Sequence, residues 1–487
     1  MKKIYISVFV LSACFISGCS DEYLDVDQTE SISTKDVALL NNDAGAATFV
    51  TAIYNKFLDW NMSSFSWNGV SSIASDDADK GSSPSDTGSD KDLLDALTYN
   101  PSSPSTTEIF AANYEGINRC NQALNIIPQL DQANAALRSR LIGEAKFLRA
   151  FMYFTLVKTY GGVPIVDRLP NPSSDEDRIM QLTRKSTAEV YAFIENDLID
   201  AIAALPNKAA YNASEKGRAS QGAAYALLAK VNLYQKNWQK VIDNCNLVTG
   251  YSLVSDYASM FRLAGENDAE SIFEIQGVGG SLPAQGIKQY SQTQGARGTE
   301  GWGWGFNTPS QSLLNAYEAN DVRKNATIMF RGATLYDGRK VPADADNPMY
   351  NYKAYSSAYS GQDNSDTNIK YLRYAEVILM KAEALNELNQ TSEAIVLLNQ
   401  IRTRAGLANT TFSSQADIKI AIWKERRVEM AFEHDRFFDL VRTGSARAVA
   451  AFAVHGKTFV AGKHEVFPLP QNFISEASGL STQNPGY

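Results

Sequence analysis

The sequence predicts a mostly α-helical protein: a scaffold of tetratricopeptide-like helical hairpins (an α-solenoid) with long irregular loops and a few short strands. Three observations support this fold class. Apolar residues recur with a helical period along most of the chain. One spacing of small and apolar residues occurs twice, as expected for a repeated pair of helices. Two long regions, 59–112 and 250–367, mostly lack the helical period. Because 44% of the 487 residues are apolar, the chain can bury a sizeable core.

The predicted helices are bounded by recognisable start and stop signals. The longest, 135–160, carries an apolar stripe that includes Leu141, Leu148 and Leu156, and a Gly-Gly-Val-Pro sequence ends it. Another helix begins near Tyr114. The remaining predicted helices are 44–58, 186–205, 219–234, 238–249, 310–319, 371–388, 392–405 and 416–432.

A helical hairpin is predicted twice from the same residue spacing. A small residue on the first helix is followed 12, 16 and 19 residues later by small or apolar residues on the second. Such residues let two helices cross closely, as in tetratricopeptide repeats. The two sets are Ala229, Val241, Cys245 and Val248, and Ala382, Ala394, Leu398 and Ile401.

The irregular regions have the composition of loops. Residues 75–90 contain five Ser, five Asp, two Gly and one Pro. Because Ser and Asp side chains compete for backbone hydrogen bonds, we expect a long surface excursion there, and neither helix nor buried strand. Residues 271–276 read as a short strand, and the last forty residues read as irregular.

The N-terminus has the features of an exported, lipid-anchored protein. Two lysines precede an apolar run over 4–16, and Ser17-Gly18-Cys19 follows as a lipobox. We therefore predict a signal peptide over 1–18, lipidation at Cys19 and a polar tether over 19–42. Cleavage before Cys14, or an ordinary secreted protein, are the alternatives. No later segment has about 18 consecutive apolar residues, so the lipid is the expected membrane anchor.

Charge and cysteine content narrow the functional classes further. The chain carries 45 Lys and Arg against 54 Asp and Glu, a net charge of −9. This acidity argues against a nucleic acid partner and against binding to anionic lipid headgroups. Cys120 and Cys245 lie on predicted helices, and we expect buried free thiols there, although a disulfide between them stays open.

Aromatic and acidic residues in the loops point to a saccharide ligand. Flat C–H faces of sugar rings pack on aromatic rings, while the hydroxyls need polar partners around them. The candidate ligand-binding aromatics are Trp67, Trp302, Trp304 and Tyr355, and the candidate polar groups near Trp67 are Asp77 and Asp79. For the aromatic residues, packing within the protein is the alternative role, and for the two aspartates the alternative is a solvated acidic loop.

Catalysis is not predicted. The three histidines are not spaced as metal ligands, and no hydrolase or phosphate-binding motif occurs. We therefore predict no catalytic residue, no metal and no cofactor. A carboxylate-rich segment could suggest acid–base chemistry, but spacings of three to four residues on a helix favour a structural ion-pair network. Its members are Glu425, Glu429, Glu433, Arg436, Asp439 and Arg442.

Several distinctive sequence blocks follow one another along nearly the whole mature chain. They are Glu144-Ala145-Lys146-Phe147-Leu148-Arg149-Ala150, Tyr160-Gly161-Gly162-Val163-Pro164, Gly217-Arg218-Ala219-Ser220, Arg373-Tyr374-Ala375-Glu376, Lys381-Ala382-Glu383-Ala384, Leu398-Asn399-Gln400-Ile401-Arg402, Glu425-Arg426-Arg427, Asp439-Leu440-Val441-Arg442, Phe467-Pro468-Leu469-Pro470 and the terminal residues from Gln483 to Tyr487. In these blocks and their order, the chain resembles the SusD/RagB family of outer-membrane nutrient-binding lipoproteins.

The resemblance implies a function as well as a fold. It implies four tetratricopeptide-like hairpins, two regions (43–260 and 261–487), and a lipid anchor in the outer membrane facing outward. It also implies a SusC-like TonB-dependent β-barrel transporter as partner and an oligosaccharide ligand. The regions 59–112 and 280–367 depart most from the shared blocks, so the identity of the ligand does not follow from the resemblance. A peptide-capturing lid, a glycoside hydrolase and a scaffold without a ligand remain alternatives.

Overall fold

Helices dominate the structure, a computed structural model that describes residues 34–83, 85–86, 89–278, 286–356 and 364–487. The predicted signal peptide and Cys19 lie outside these residues. The helices are α1 (Thr34–Leu39), α2 (Asp43–Lys56), α3 (Trp60–Ser63), α4 (Phe65–Asn68), α5 (Ser89–Asp95), α6 (Pro104–Ile126), α7 (Ala135–Tyr160), α8 (Asp175–Leu182), α9 (Thr187–Ala204), α10 (Gln221–Tyr234), α11 (Trp238–Leu247), α12 (Tyr290–Gln294), α13 (Gln311–Ala316), α14 (Arg323–Thr327), α15 (Tyr374–Glu387), α16 (Thr391–Arg404), α17 (Gln415–Glu429), α18 (Arg436–Arg442), α19 (Ser445–His455) and α20 (Gln471–Ala477).

The strands are short and pair two by two, always antiparallel. Among the described residues, three of the four pairs join distant parts of the chain, and the predicted strand over 271–276 is confirmed as a member of one pair. The pairs are β1 (Ala78–Gly81) with β4 (Phe306–Pro309), β2 (Ser271–Ile275) with β8 (Ile369–Arg373), β3 (Ile287–Lys288) with β7 (Asn364–Ser365), and β5 (Ile328–Phe330) with β6 (Met349–Asn351).

Both predicted hairpins are present, which confirms the mostly helical, tetratricopeptide-like fold. The first consists of α10 and α11, and the second of α15 and α16. Ala229 and Ala382 are fully buried, as the close crossing of two helices requires. The side chain of Ser220 begins α10 by accepting a hydrogen bond from the backbone N–H of Ala223 at 3.2 Å.

Helix α7 occupies the centre of the N-terminal half and has the predicted bounds. The Asn134 side chain accepts hydrogen bonds from two backbone N–H groups of its first turn. At its end Gly161 has a φ of +72°, a conformation that side chains disfavour. Helices α6 and α9 pack on either side of α7. The main core cluster extends from Ala46 to Ala477 and so includes residues from both halves of the chain.

Two sequence predictions about irregular regions are wrong. Residues 71–78 are buried and lead into strand β1, so the start of the 75–90 segment is an interior element rather than a surface excursion. Its carboxylates are neutralised by arginines from α17 and α18, a distant pairing that composition cannot reveal. The last forty residues, predicted to be irregular, contain α20 and the end of α19. A helix boundary also differs, since α6 begins at Pro104, ten residues before Tyr114.

The predicted ion-pair network is confirmed, but most of its partners come from other elements. Arg373, fully buried at the end of β8, contacts Glu270, Glu429 and Glu433. Arg426 contacts three further carboxylates on α15 and around α18, those of Glu376, Asp435 and Asp439. Since buried charges are tolerated only when they are paired and hydrogen-bonded, this network is a structural element.

The two cysteines of the helical scaffold are buried and free, as predicted. Burial raises the pKa of both the Cys120 and the Cys245 thiol above the ordinary value. Both are therefore inert packing groups rather than reactive thiols.

Candidate functional site

Three partly exposed aromatic side chains lie together at the junction of α3, α4 and the segment before β4. The ring of Trp60 is 6.0 Å from that of Trp304 and 4.8 Å from that of Phe65, measured between centroids. Phe306 lies beneath, 4.8 Å from Phe65 and edge-on to it. We call Trp60, Phe65 and Trp304 the aromatic platform. Its two indoles are inclined by 61°, so the platform is angled rather than flat.

Local backbone geometry holds Trp304 in place. The backbone N–H of Trp304 donates to the carbonyl oxygen of Gln292 at 2.8 Å, and this hydrogen bond joins the segment before β4 to α12. The preceding residue, Gly303, lies so close to α12 that a Cβ would be 2.4 Å from the Cα of Gly295. Gly305, with a φ of +75°, then turns the chain into β4. The glycines around Trp304 are therefore required for its position.

Polar groups border the platform. Asp59 precedes Trp60 and accepts hydrogen bonds from Lys56 and Lys288, both at 2.9 Å. Partial burial opposes the ionisation of Asp59, but these two ammonium groups outweigh it and lower its pKa. On the other side, Ser66 donates a hydrogen bond to Glu108 of α6. Carboxylate and ammonium groups thus lie beside the aromatic rings, whereas the Ser66 hydroxyl is buried and joins the platform to α6.

A polar cavity of about 440 Å³ lies beside the two-stranded sheet of β1 and β4, the strand that carries Phe306. Strand β4 contributes Thr308 and Pro309 to its wall two and three residues after Phe306 of the platform. Three carboxylates also line it, and each contacts a basic side chain. Asp79 pairs with His455 at 2.9 Å, Asp92 with Lys80 at 2.6 Å, and Asp95 with Lys457 at 2.7 Å.

Of the six predicted ligand residues, Trp304 and Asp79 are accessible. Trp304 is partly exposed on the platform, and the Asp79 side chain is 45% exposed in the polar cavity. Both therefore remain candidates for direct contact with a ligand.

Trp67 was expected in a loop, but it lies in the core. It lies on α4 and is 1% exposed, and its ring stacks on Phe438 with 5.7 Å between the centroids. The Lys158 ammonium lies 5.1 Å from the indole, and burial lowers the pKa of that lysine to about 8. No face of the ring is open to a ligand, so its packing role replaces the predicted binding role.

Asp77 is also buried, in a pair of carboxylates with two arginines. Arg427 donates to Asp77 at 2.6 Å, and Arg436 makes a bidentate pair with Asp76 at 2.7 and 2.8 Å. Burial opposes ionisation of both acids. Arg436 outweighs it at Asp76 and lowers that pKa, whereas burial prevails at Asp77 and raises its pKa. With Asp77 1% exposed, the pair anchors β1 and offers a ligand nothing directly.

Trp302 and Tyr355 belong to a separate aromatic cluster. Their rings are 5.6 Å apart, and the guanidinium of Arg339 lies 4.2 Å from the Trp302 ring. The Tyr355 hydroxyl donates to Asp337 at 2.6 Å, and burial raises the pKa of this tyrosine. In an extended strand, residues two apart share a face. The turn at Gly303 breaks that relation, so Trp302 is buried while Trp304 is not.

Sequence reasoning missed two members of the platform. Neither Trp60 nor Phe65 is among the ligand-binding residues predicted from the sequence. The signal that could have found them is local: Trp60 and Phe65 are five residues apart, and between them the pattern Asn-Met-Ser-Ser has no continuous helical stripe. A short break between helices that carries large aromatic rings is a place where such rings stay exposed.

Among the described residues, no helix is both long and apolar enough to cross a bilayer. The same residues contain no group of three histidine, cysteine or acidic side chains that could hold a metal ion.

Comparisons with known proteins divide the chain into two matches. Residues 269–487 match the model of the SusD family. Residues 22–233 match the model of a family described as starch-binding and associating with the outer membrane. The two matches together account for most of the chain.

Individual relatives agree with these matches. A SusD-like protein, P2 of Formosa agariphila, is 29% identical over 77% of this chain and 79% of its own length. The starch-binding protein SusD of Bacteroides thetaiotaomicron is 25% identical over 81% of each chain. A solved structure described as a laminarin-binding SusD-like protein is 29% identical, covers 92% of this chain and all of its own, and has a TM-score of 0.76.

Proposed function

Because the chain belongs to the SusD/RagB family, we propose that it is a cell-surface lipoprotein that binds oligosaccharides and delivers them to a TonB-dependent transporter of the outer membrane. The body captures the ligand without changing it. The lipid on Cys19 holds the protein at the membrane, and a SusC-like β-barrel receives the saccharide.

The aromatic platform is the observation that carries the proposal. Trp60, Phe65 and Trp304 expose ring surface next to ammonium and carboxylate groups. Aromatic rings that stay partly exposed are costly to leave in water, and clusters of them mark binding surfaces. Sugar rings suit this surface because they present apolar faces and polar edges at once. Trp304 and Asp79 are the predicted residues that we assign to the site.

The relatives suggest which saccharides to test first. One solved relative is described as laminarin-binding, and one curated relative as starch-binding. Laminarin is a β-linked glucan and starch is an α-linked one, so the two share a sugar and differ in the shape of the chain. The angled platform, with its indoles inclined by 61°, suits a curved glucan better than a flat ribbon.

The first experiment is isothermal titration of the mature protein with a saccharide panel that includes laminarin and starch oligosaccharides. We expect Trp60→Ala and Trp304→Ala each to lower the affinity for the bound saccharide tenfold or more. Truncating an aromatic anchor typically costs about 2 kcal/mol, and about 1.4 kcal/mol already corresponds to a factor of ten.

Trp238→Ala is the matched control, since Trp238 is also partly exposed but lies at the start of α11, away from the platform. It should leave the affinity unchanged. Full affinity in both platform variants would refute our assignment of the site. Binding of peptides but of no saccharide would favour the peptide-capturing alternative.

Anchoring and partnership have separate tests. Cys19→Ala should abolish incorporation of labelled fatty acid and release the protein from the outer membrane fraction. Purification of the wild-type protein in mild detergent should recover a TonB-dependent barrel with it. A protein that carries no lipid and always purifies alone would contradict this part of the proposal.

Hydrolysis is the second candidate, because three carboxylates line the polar cavity. A glycosidase needs two carboxyl groups free to act on one glycosidic bond. Here Asp92 and Asp95 are each paired with a lysine ammonium group and Asp79 contacts the imidazole of His455, which favours binding over catalysis. Incubation of the pure protein with the bound saccharide should release no reducing sugar, and release that Asp92→Asn abolishes would establish an enzyme.

A further inference from the structure

A cavity of about 390 Å³ lies between α6, α8 and α20, outside the platform and the polar cavity. Its volume is within the range of small-molecule binding sites. Three aromatic residues form its floor: Phe110 and Tyr114 of α6, and Phe473 of α20. The centroid of the Phe110 ring is 4.8 Å from that of Tyr114 and 5.2 Å from that of Phe473, and the ring planes are inclined by about 50° in both pairs.

The floor is fixed before any ligand arrives. The hydroxyl of Tyr114 donates to the carbonyl oxygen of Pro164 at 2.7 Å, which holds its ring against the cavity. The ring of Phe110 also packs edge-on against the buried Tyr160, with 5.4 Å between the centroids. A rigid aromatic floor loses little conformational entropy when a ligand binds.

The rim is polar and available. It includes the exposed side chains of Asn118, Asn472, Arg178 and Glu476. Within the part of the chain that the structure describes, Arg178 and Glu476 form no salt bridge, and the side-chain amides of Asn118 and Asn472 have no hydrogen-bond partner. Since the rim carries one charge of each sign, it favours a ligand that is neutral overall and rich in hydroxyl groups.

The cavity and the platform share helix α6. Glu108, which Ser66 joins to the platform, and Tyr114 of the cavity floor are six residues apart, a rise of about 9 Å along the helix. Cavity residues Thr107, Ala111, Tyr114 and Asn118 form one stripe of α6. At 100° per residue, this stripe lies roughly a quarter-turn from Glu108.

We propose that this cavity is a second saccharide-binding site, which takes neutral sugar rings on Phe110, Tyr114 and Phe473. The inference rests on the proposed function for its ligand class, but it concerns a different surface. Two sites on one chain raise the apparent affinity for a long polysaccharide, because binding at the second becomes intramolecular.

The test blocks the cavity without disturbing the fold. Ala111 is exposed and lines the mouth, so Ala111→Trp should fill it. Ala136→Trp, at an exposed position of the first turn of α7, is the matched control. Thermal unfolding followed by circular dichroism checks that both variants remain folded. Asn472→Ala, at an exposed rim position, is a second variant that leaves the floor intact.

Isothermal titration with short laminarin and starch oligosaccharides should give two bound saccharides per wild-type chain. We expect one per chain for Ala111→Trp, with the platform site retained, a weakened second site for Asn472→Ala, and two per chain for the control. For the double variant Trp60→Ala/Trp304→Ala we also expect one.

Failure of the second-site proposal and failure of the platform assignment give different binding results. If Ala111→Trp binds as the wild type does while the double variant binds nothing, the second site is refuted and the platform stands. If Ala111→Trp alone abolishes binding, the cavity is a saccharide site and the platform assignment falls. A wild-type chain that binds one saccharide, lost only in the platform variants, would also overturn the inference.

Discussion

Replacing Trp67 by Ala should separate the packing of this protein from its ligand binding. The side chain is 1% exposed and stacks on Phe438 at 5.7 Å, so its removal leaves a cavity in the core. Truncation of a buried tryptophan to alanine typically costs about 3–5 kcal/mol of unfolding free energy. We therefore expect Trp67→Ala to be folded but markedly less stable, with unchanged saccharide affinity.

The local contacts place the loss within that range. Burying a large apolar side chain contributes about 1.5–3 kcal/mol by transfer alone, and the unfilled space adds to this. The Lys158 ammonium, 5.1 Å from the ring, also loses a cation–π contact worth about 1–2 kcal/mol. Water that enters the space would relieve the burial that lowers the pKa of Lys158 to about 8, and this offsets part of the loss. We expect a net loss of about 4 kcal/mol.

Urea unfolding followed by far-ultraviolet circular dichroism measures the stability, and isothermal titration of the folded variant measures the affinity. Trp67→Phe is the matched control, since a phenyl ring keeps the stack on Phe438 and should recover much of the stability. A loss below about 1 kcal/mol, the size typical of a surface position, would refute the packing role. So would a tenfold weaker affinity in a variant that is still folded.

Three further outcomes follow from the ion pairs and the buried thiols. Arg373→Met should lower the unfolding free energy by about 3–5 kcal/mol, because it removes a buried guanidinium that contacts three buried carboxylates and leaves only their other cations to balance them. Urea unfolding beside the exposed control Arg178→Met measures this. Hydrogen bonds from Arg402 lower the pKa of Glu318 to about 2, so its stabilising contribution, present above its ordinary pKa of 4.5, should fade as the pH drops towards 2. The stability difference between wild type and Glu318→Gln should therefore shrink over that interval, and a constant difference would contradict the assignment. Cys120 and Cys245 should resist a thiol reagent in the native protein and react in urea, whereas rapid native labelling would show that they are accessible.

The helical scaffold was predictable because its signals are local. The apolar period and the Gly161 stop signal gave α7 its bounds, and the spacing that starts at Ala229 and Ala382 gave both hairpins. Each of these signals lies within a few helical turns and needs no knowledge of distant residues.

The candidate site was harder to predict because its members come from separate parts of the chain. Asp77 looks like a loop residue by composition, yet Arg427, 350 positions away, allows it to be buried. The accessibility of Trp304 and the burial of Trp302 depend on the close approach of Gly303 to Gly295. Long-range charge pairing and backbone proximity decide these exposures, and neither has a local pattern.

Ion pairs between the two halves of the chain have a consequence for biosynthesis. Asp76 is neutralised by Arg436 and Lys230 by Asp435, and the carbonyl oxygen of Tyr160 is capped by the side chain of Asn484. During synthesis the first half emerges long before these partners do. Until residues 435–484 have been made, charged groups of the first half lack their partners and the core is incomplete. We therefore expect the chain to fold late and as one unit rather than segment by segment.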